Sequence, residues 1–130
     1  MQSEDVHVRD YILGLLARQD TVIHVVSDHG NGNEGWRLPM SALIIPTQFL
    51  DKHPEIERNL EVNSQRLISH FDMYETLKHF ATYPEAPETA AWENKPAASK
   101  SLLSTEMSKD RKCNQIGVPT EWCSCVNFER

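Results

Sequence analysis

Long apolar runs are missing from these 130 residues. The longest, Ser41-Ala42-Leu43-Ile44-Ile45-Pro46, falls far short of the roughly 20 residues that a helix needs to cross a bilayer, so the chain is expected to carry no membrane span. Positive charge is also scarce: 13 Lys and Arg stand against 19 Asp and Glu, for a net charge of −6. With no basic stripe interleaved with aromatics and no glycine-rich phosphate loop, binding to nucleic acid is not expected. The amino-terminal MQSEDVHVRD is acidic and polar, unlike a secretory leader. Cysteine is absent until Cys113, and then Cys113, Cys123 and Cys125 fall within the last 18 residues. Such clustering suggests a local disulfide and an oxidising compartment, yet no targeting segment is visible and the cysteine count is odd. The expectation is that the chain is a fragment of a longer polypeptide.

What is present reads as folded. Hydrophobic content of 39% and charged content of 25% exclude a disordered tail and allow one small domain or part of a larger one. Over residues 4–18, Val8, Tyr11, Ile12, Leu15 and Leu16 recur at spacings of three and four, an amphipathic helical stripe. Thr21 to Val26 is rich in β-branched residues and reads as a strand, interrupted by His24, which is expected to be a hydrogen-bonded histidine rather than a ligand. Met40 to Ile45, closed by Pro46, reads as a second buried strand. Helix followed by strands points to an α/β architecture. Thr47 to Leu60 predicts short helical pieces with Pro54 near the start of one. Asp72 is placed to cap a helix carrying Met73, Leu77 and Phe80 on one face, with Tyr74 beside them. The expected organisation is an α/β core over residues 1–82, a loop or linker over 83–100 rich in Pro, Ala, Glu and Thr, and an irregular cysteine-containing tail over 101–130. That tail would need cross-links or docking for order.

The chemistry concentrates where the first strand ends, in TVIHVVSDHG (21–30). In open α/β sheets, ligands gather at the carboxyl ends of strands. A carboxylate and a neutral imidazole, Asp28 and His29, are standard ligands for zinc, manganese or a related divalent ion. Gly30 lets the backbone turn sharply so that adjacent side chains can aim at one site. The plain alternative is an ordinary strand-to-loop exit, since Asp and Gly form turns and two ligands do not complete a zinc site.

TVIHVVSDHG resembles the strand and loop of the alkaline phosphatase and sulfatase superfamily, in which an S-D-H-G or S-D-N-G segment supplies metal ligands. HFDMYETLKHF (70–80) resembles that superfamily's D-I-x-x-T-L helix start, with Asp72, Thr76 and Leu77 in step. RKCNQIGVPTEWCSC (111–125) is similar to the R-x-C-x-x-x-G-I-P-x-x-x-C-x-C ending of its sulfatase-like branch catalogued as domain of unknown function 229. The resemblance implies the C-terminal portion of an alkaline-phosphatase-like mixed sheet flanked by helices. It implies metal-dependent hydrolysis or transfer of sulfate or phosphate esters, with Asp28 and His29 holding a divalent ion (zinc, manganese, calcium or magnesium). It also implies a secretory, extracellular or membrane-associated setting, and as partner the missing upstream half or a full-length relative.

Two departures qualify that reading. Only 27 residues precede Asp28, and they hold no nucleophile with a base or metal partner, so the chain alone is expected to be inactive. The loop after S-D-H-G, GNGNEGWRLPM, is shorter than the family's G-R-x-E-E-R-x-P segment and keeps Glu34, Arg37 and Pro39. A non-catalytic interaction or scaffold protein derived from the family is the rival expectation. Among the cysteines, a disulfide from Cys113 to Cys123 or to Cys125 is preferred over zinc, because Cys-x-Cys is not the usual knuckle spacing. His70 and His79 are read as capping or surface residues. Trp36, Trp92 and Trp122 share no common spacing.

Overall fold

The structure, a computed structural model, describes residues 2–18, 20–30, 38–85 and 96–124. The expectations for Glu34, Arg37, Trp36, Trp92, Cys125 and most of the 83–100 linker lie outside the described residues. The architecture is small and mixed α/β. Among the described residues it holds four α-helices and one two-stranded antiparallel sheet. The chain divides into two compact units, residues 1–53 and 54–130.

In the first unit, α1 (Gln2–Leu16) forms where the three-and-four spacing places it. Its stripe is not a buried one: Ile12 and Leu15 are half-buried, while Tyr11 is 69% and Val8 57% exposed. The β-branched run yields β1 (Ile23–Val26), which pairs antiparallel with β2 (Ser41–Ile44), Ile23 opposite Ile44 and Val26 opposite Ser41. Alternation then puts His24, Val26, Ser41 and Leu43 on one face and Ile23, Val25, Ala42 and Ile44 on the other. Ile23 is buried, but Ser41 and Ala42 are exposed, so the second strand is not the buried one expected. His24 is half-buried, with Nε2 3.0 Å from Ser41 Oγ, the hydrogen-bonded role foreseen for it. Pro46, with no N–H to extend the ladder, ends the strand and precedes α2 (Thr47–Leu50).

In the second unit, Pro54 opens α3 (Pro54–Asn63), where its fixed φ is pre-set for a helix, and Glu55 and Glu57 complement the positive end of the helix dipole. The next helix, α4 (His70–Thr82), starts two residues before Asp72. Ser69 is the N-cap, and Asp72 is the third helical residue, its Oδ2 accepting the Ser69 N–H at 2.9 Å. Asp72 therefore works from inside the first turn rather than as the cap itself.

The buried face of α4 also differs from the apolar stripe read from the sequence. Leu77 is 45% exposed and Tyr74 is exposed, while Asp72, Met73, Glu75, Thr76 and His79 are buried. The reason is what covers that face. The tail from residue 99 to 111 runs in turns and irregular backbone, so its peptide groups need partners that a ladder would otherwise supply. Polar side chains of the helices provide them. Thr76 Oγ1 accepts the Leu102 N–H (2.9 Å) and donates to the Asp72 carbonyl (2.7 Å). Asn63 on α3 donates from Nδ2 to the carbonyls of Leu102 (3.1 Å) and Thr105 (2.9 Å), and its Oδ1 accepts the Met107 N–H at 2.7 Å. Asn59 donates to the Leu103 carbonyl at 2.8 Å.

The tail brings most of its own apolar core. Of the eight buried apolar side chains described in this unit, Leu102, Leu103, Met107, Cys113, Ile116 and Cys123 come from it, against Ile56 and Met73 from the helices. Cys113 and Cys123 form a disulfide with Cα atoms 5.9 Å apart. Between them, Gly117 ends a short 3₁₀ turn (Cys113–Ile116) at φ 75°, and a Cβ there would lie 2.6 Å from Pro96 Cγ and 2.7 Å from Phe71 Cε2. Glycine is required on both counts.

Candidate metal centre

The ladder of β1 and β2 ends at Val26 and Ser41, and Ser27 and Met40 are the residues that would pair next. Ser27 N–H donates to the Met40 carbonyl at 3.0 Å, and Met40 N–H donates to Ser27 Oγ at 2.8 Å. The chain then leaves the sheet at Asp28.

Asp28 and His29 lie at that exit, 89% and 50% exposed at the side chain. The His29 N–H donates to Asp28 Oδ1 at 2.9 Å, which holds the carboxylate back over the turn. His29 Nδ1 is 2.6 Å from the Gly30 carbonyl oxygen, so in the neutral ring Nδ1 carries the proton and Nε2 the lone pair. Nε2 lies 3.8 Å from Asp28 Oδ2. That is longer than a hydrogen bond but less than the roughly 4.2 Å span of two ligand bonds of about 2.1 Å each. The donor set, one carboxylate oxygen and one imidazole nitrogen with its tautomer set by a carbonyl, fits part of a divalent-ion site. Among the described residues, no group of three His, Cys, Asp or Glu is arranged to hold an ion.

An open cleft of about 360 Å³, lined in part by Leu16, Thr21, Ile45, Pro46 and Gln48, belongs to the same unit. It borders the entry of β1, the end opposite Asp28 and His29.

The second and third matched segments meet in the other unit. Arg111 donates from Nη1 to Asp72 Oδ2 (3.2 Å) and from Nη2 to Asp72 Oδ1 (2.9 Å), with side-chain exposures of 7% and 0%. The same guanidinium donates to the carbonyls of Leu67 (3.1 Å) and Ala98 (2.9 Å), and Asp72 Oδ1 also accepts the Lys100 N–H at 3.1 Å. Both charges are thus fully engaged, and Asp72 serves to hold the tail. Asn63 and Arg111 were not singled out as anchors by sequence reasoning. The available signal was polar residues repeating at helical spacing, as in Asn59 and Asn63 or Asp72, Thr76 and His79.

His70 opens α4 and is exposed. His79 is buried, contrary to the surface or capping role expected. Its Nδ1 is 3.0 Å from Ser101 Oγ, which also accepts the Leu103 N–H at 3.2 Å. Burial holds the imidazole below its usual value of 6.5, because the charged form loses hydration there. The disulfide joins Cys113 to Cys123, one of the two pairings left open.

The fold and these side chains define a small α/β protein with an exposed carboxylate–imidazole pair on one unit and a disulfide-closed helical second unit. Over residues 2–130 it matches the family described as Protein of unknown function (DUF229), and the chain belongs to that family. No curated protein and no solved structure matches it.

Proposed function

We propose that this chain is the C-terminal, metal-holding part of a sulfatase- or phosphatase-like hydrolase or transferase of sulfate or phosphate esters. In this reading it belongs to an alkaline-phosphatase-like sheet completed by other strands. The observation that carries it is the Asp28–His29 pair: two metal-type donors on consecutive residues, 3.8 Å apart, at a strand exit within an S-D-H-G segment. Asp28 and His29 would hold a divalent ion, which when bound supplies Lewis-acid polarisation of an ester oxygen. The remaining ligands and the nucleophile would come from outside these 130 residues. The Cys113–Cys123 disulfide supports an oxidising, secretory or extracellular setting.

The test is to capture native material through an antibody to residues 111–125, determine its length by mass spectrometry, and assay it on aryl phosphate and aryl sulfate esters. A product several hundred residues long, with metal-dependent ester cleavage abolished by Asp28→Ala, is expected. A long product whose activity is indifferent to Asp28→Ala would refute the metal role.

A second reading, a non-catalytic scaffold or interaction protein of the same family, is favoured by one observation. Asp72, Thr76 and Arg111, from the other two matched segments, are all engaged in packing the tail. A native product of this size with no ester cleavage would decide for it.

A further inference from the structure

We infer that Ser27 is the positioning residue of the Asp28–His29 pair: its hydroxyl stands in for a main-chain carbonyl and so ends the ladder at the right residue. This rests on the metal reading above and names what holds that site in shape.

In an antiparallel ladder, a hydrogen-bonded pair exchanges two main-chain bonds, each residue giving its N–H to the other's carbonyl. Ser27 and Met40 make one of these, Ser27 N–H to Met40 carbonyl at 3.0 Å. The reciprocal bond is diverted, because Met40 gives its N–H to Ser27 Oγ at 2.8 Å. The Ser27 carbonyl is thereby excused from the ladder, and the peptide joining it to Asp28 can rotate out of the sheet. A residue without a side-chain acceptor would draw the Met40 N–H back to its own carbonyl. The ladder would then lengthen by one full pair and turn the Asp28 carboxylate with the strand.

Beyond Ser27 the turn is fixed by two further bonds, His29 N–H to Asp28 Oδ1 and His29 Nδ1 with the Gly30 carbonyl. Those bonds set the pair internally. The Ser27–Met40 clamp sets the pair against the sheet. Partners that orient metal ligands typically change affinity by about 10- to 100-fold when removed. Threonine carries the same acceptor at the same position and should substitute for serine.

The experiment reads amide signals from the ¹⁵N-labelled 130-residue chain and Mn²⁺ affinity from the long native product that carries the remaining ligands, each as wild type, Ser27→Ala, Ser27→Thr and Asp28→Ala, with Mn²⁺ as the probe. Mn²⁺ is chosen because it prefers carboxylate and carbonyl oxygens to soft sulfur ligands. In Ser27→Ala, the Met40, Asp28 and His29 amide signals should move, and Mn²⁺ affinity, read from water-proton relaxation, should fall at least about tenfold. Ser27→Thr should restore both. Unmoved Asp28 and His29 signals in Ser27→Ala would overturn the proposal, as would moved signals with unchanged Mn²⁺ affinity. The metal reading is judged separately by Asp28→Ala. If that variant binds Mn²⁺ like the wild type, the ion is not at this pair, and the amide signals in Ser27→Ala alone then decide for or against the clamp.

Discussion

Replacing Arg111 by methionine keeps most of the side chain's length and removes its charge. Asp72, with no exposed surface, would keep the Ser69 and Lys100 N–H donors but lose both guanidinium bonds, and the carbonyls of Leu67 and Ala98 would each lose a donor. Removing one partner of a buried pair costs about 3–5 kcal/mol, because an uncompensated charge stays inside. Against the roughly 5–15 kcal/mol that holds a typical domain together, that is a large share. The double variant Asp72→Asn, Arg111→Met no longer buries a lone charge and should be more stable than Arg111→Met alone, a clear departure from additivity. Urea unfolding followed by far-ultraviolet circular dichroism gives the total. Hydrogen exchange at the Leu102 and Met107 amides assigns it to the second unit, since these donate to Thr76 and Asn63. A loss of about 3 kcal/mol corresponds to roughly a hundredfold faster exchange in a globally opening unit. A loss below about 1 kcal/mol, the range of an exposed pair, would refute the account, as would a double variant less stable than the single one.

Three other outcomes follow from the second unit. Gly117→Ala forces a side chain into left-handed backbone, about 1–2 kcal/mol before any clash, and sets its Cβ against Pro96 and Phe71, so the melting temperature should drop by about 5–15 °C in a thermal scan. His79 is held below 6.5 by burial, so the unfolded chain takes up its proton first as pH falls; stability should be full above 6.5 and decline below it. His79→Gln should flatten that part of a urea-midpoint profile between pH 7.5 and 5. Reducing the Cys113–Cys123 bond, which closes a loop of sequence separation 10, should cost about 2–3 kcal/mol. Exchange should accelerate at Val118, whose N–H donates to the Cys113 carbonyl within the loop, well before it does at Met107.

How much of this was legible beforehand varies by element, for physical reasons. Periodicity and breakers placed α1, the strands and the helix beginning at Pro54, because each depends on residues adjacent in sequence. The sequence places the start of α4 three residues late, since Asp72 has the chemistry of a cap and only the backbone shows that Ser69 occupies that position. Its buried face was misread because apolar spacing identifies a face that packs on apolar neighbours. This one packs on irregular backbone and is chosen for hydroxyl, imidazole and carboxylate groups. The Asp28–His29 pair was visible as a motif. That Ser27 shapes its exit was not, because the partner, Met40, lies 13 residues away and contributes only main chain.

The polar inner faces of α3 and α4 also set the order of events during synthesis. When Thr82 has been made, the two helices have little apolar surface with which to close on each other: among the described residues, Ile56 and Met73 are the buried apolar side chains they carry. Their counterpart, the stretch that carries Leu102, Met107 and Arg111, is still to be translated. At about 5–20 residues per second, the 29 residues from Tyr83 to Arg111 take a few seconds. Throughout that interval the waiting surface is one that water solvates well, displaying amides, hydroxyls and a carboxylate rather than a bare hydrophobic stripe. The nascent helices can therefore idle without recruiting a wrong neighbour. A ribosome that stops between the codons for Thr82 and Arg111 releases a chain that is well solvated at this face but has nothing to fold against.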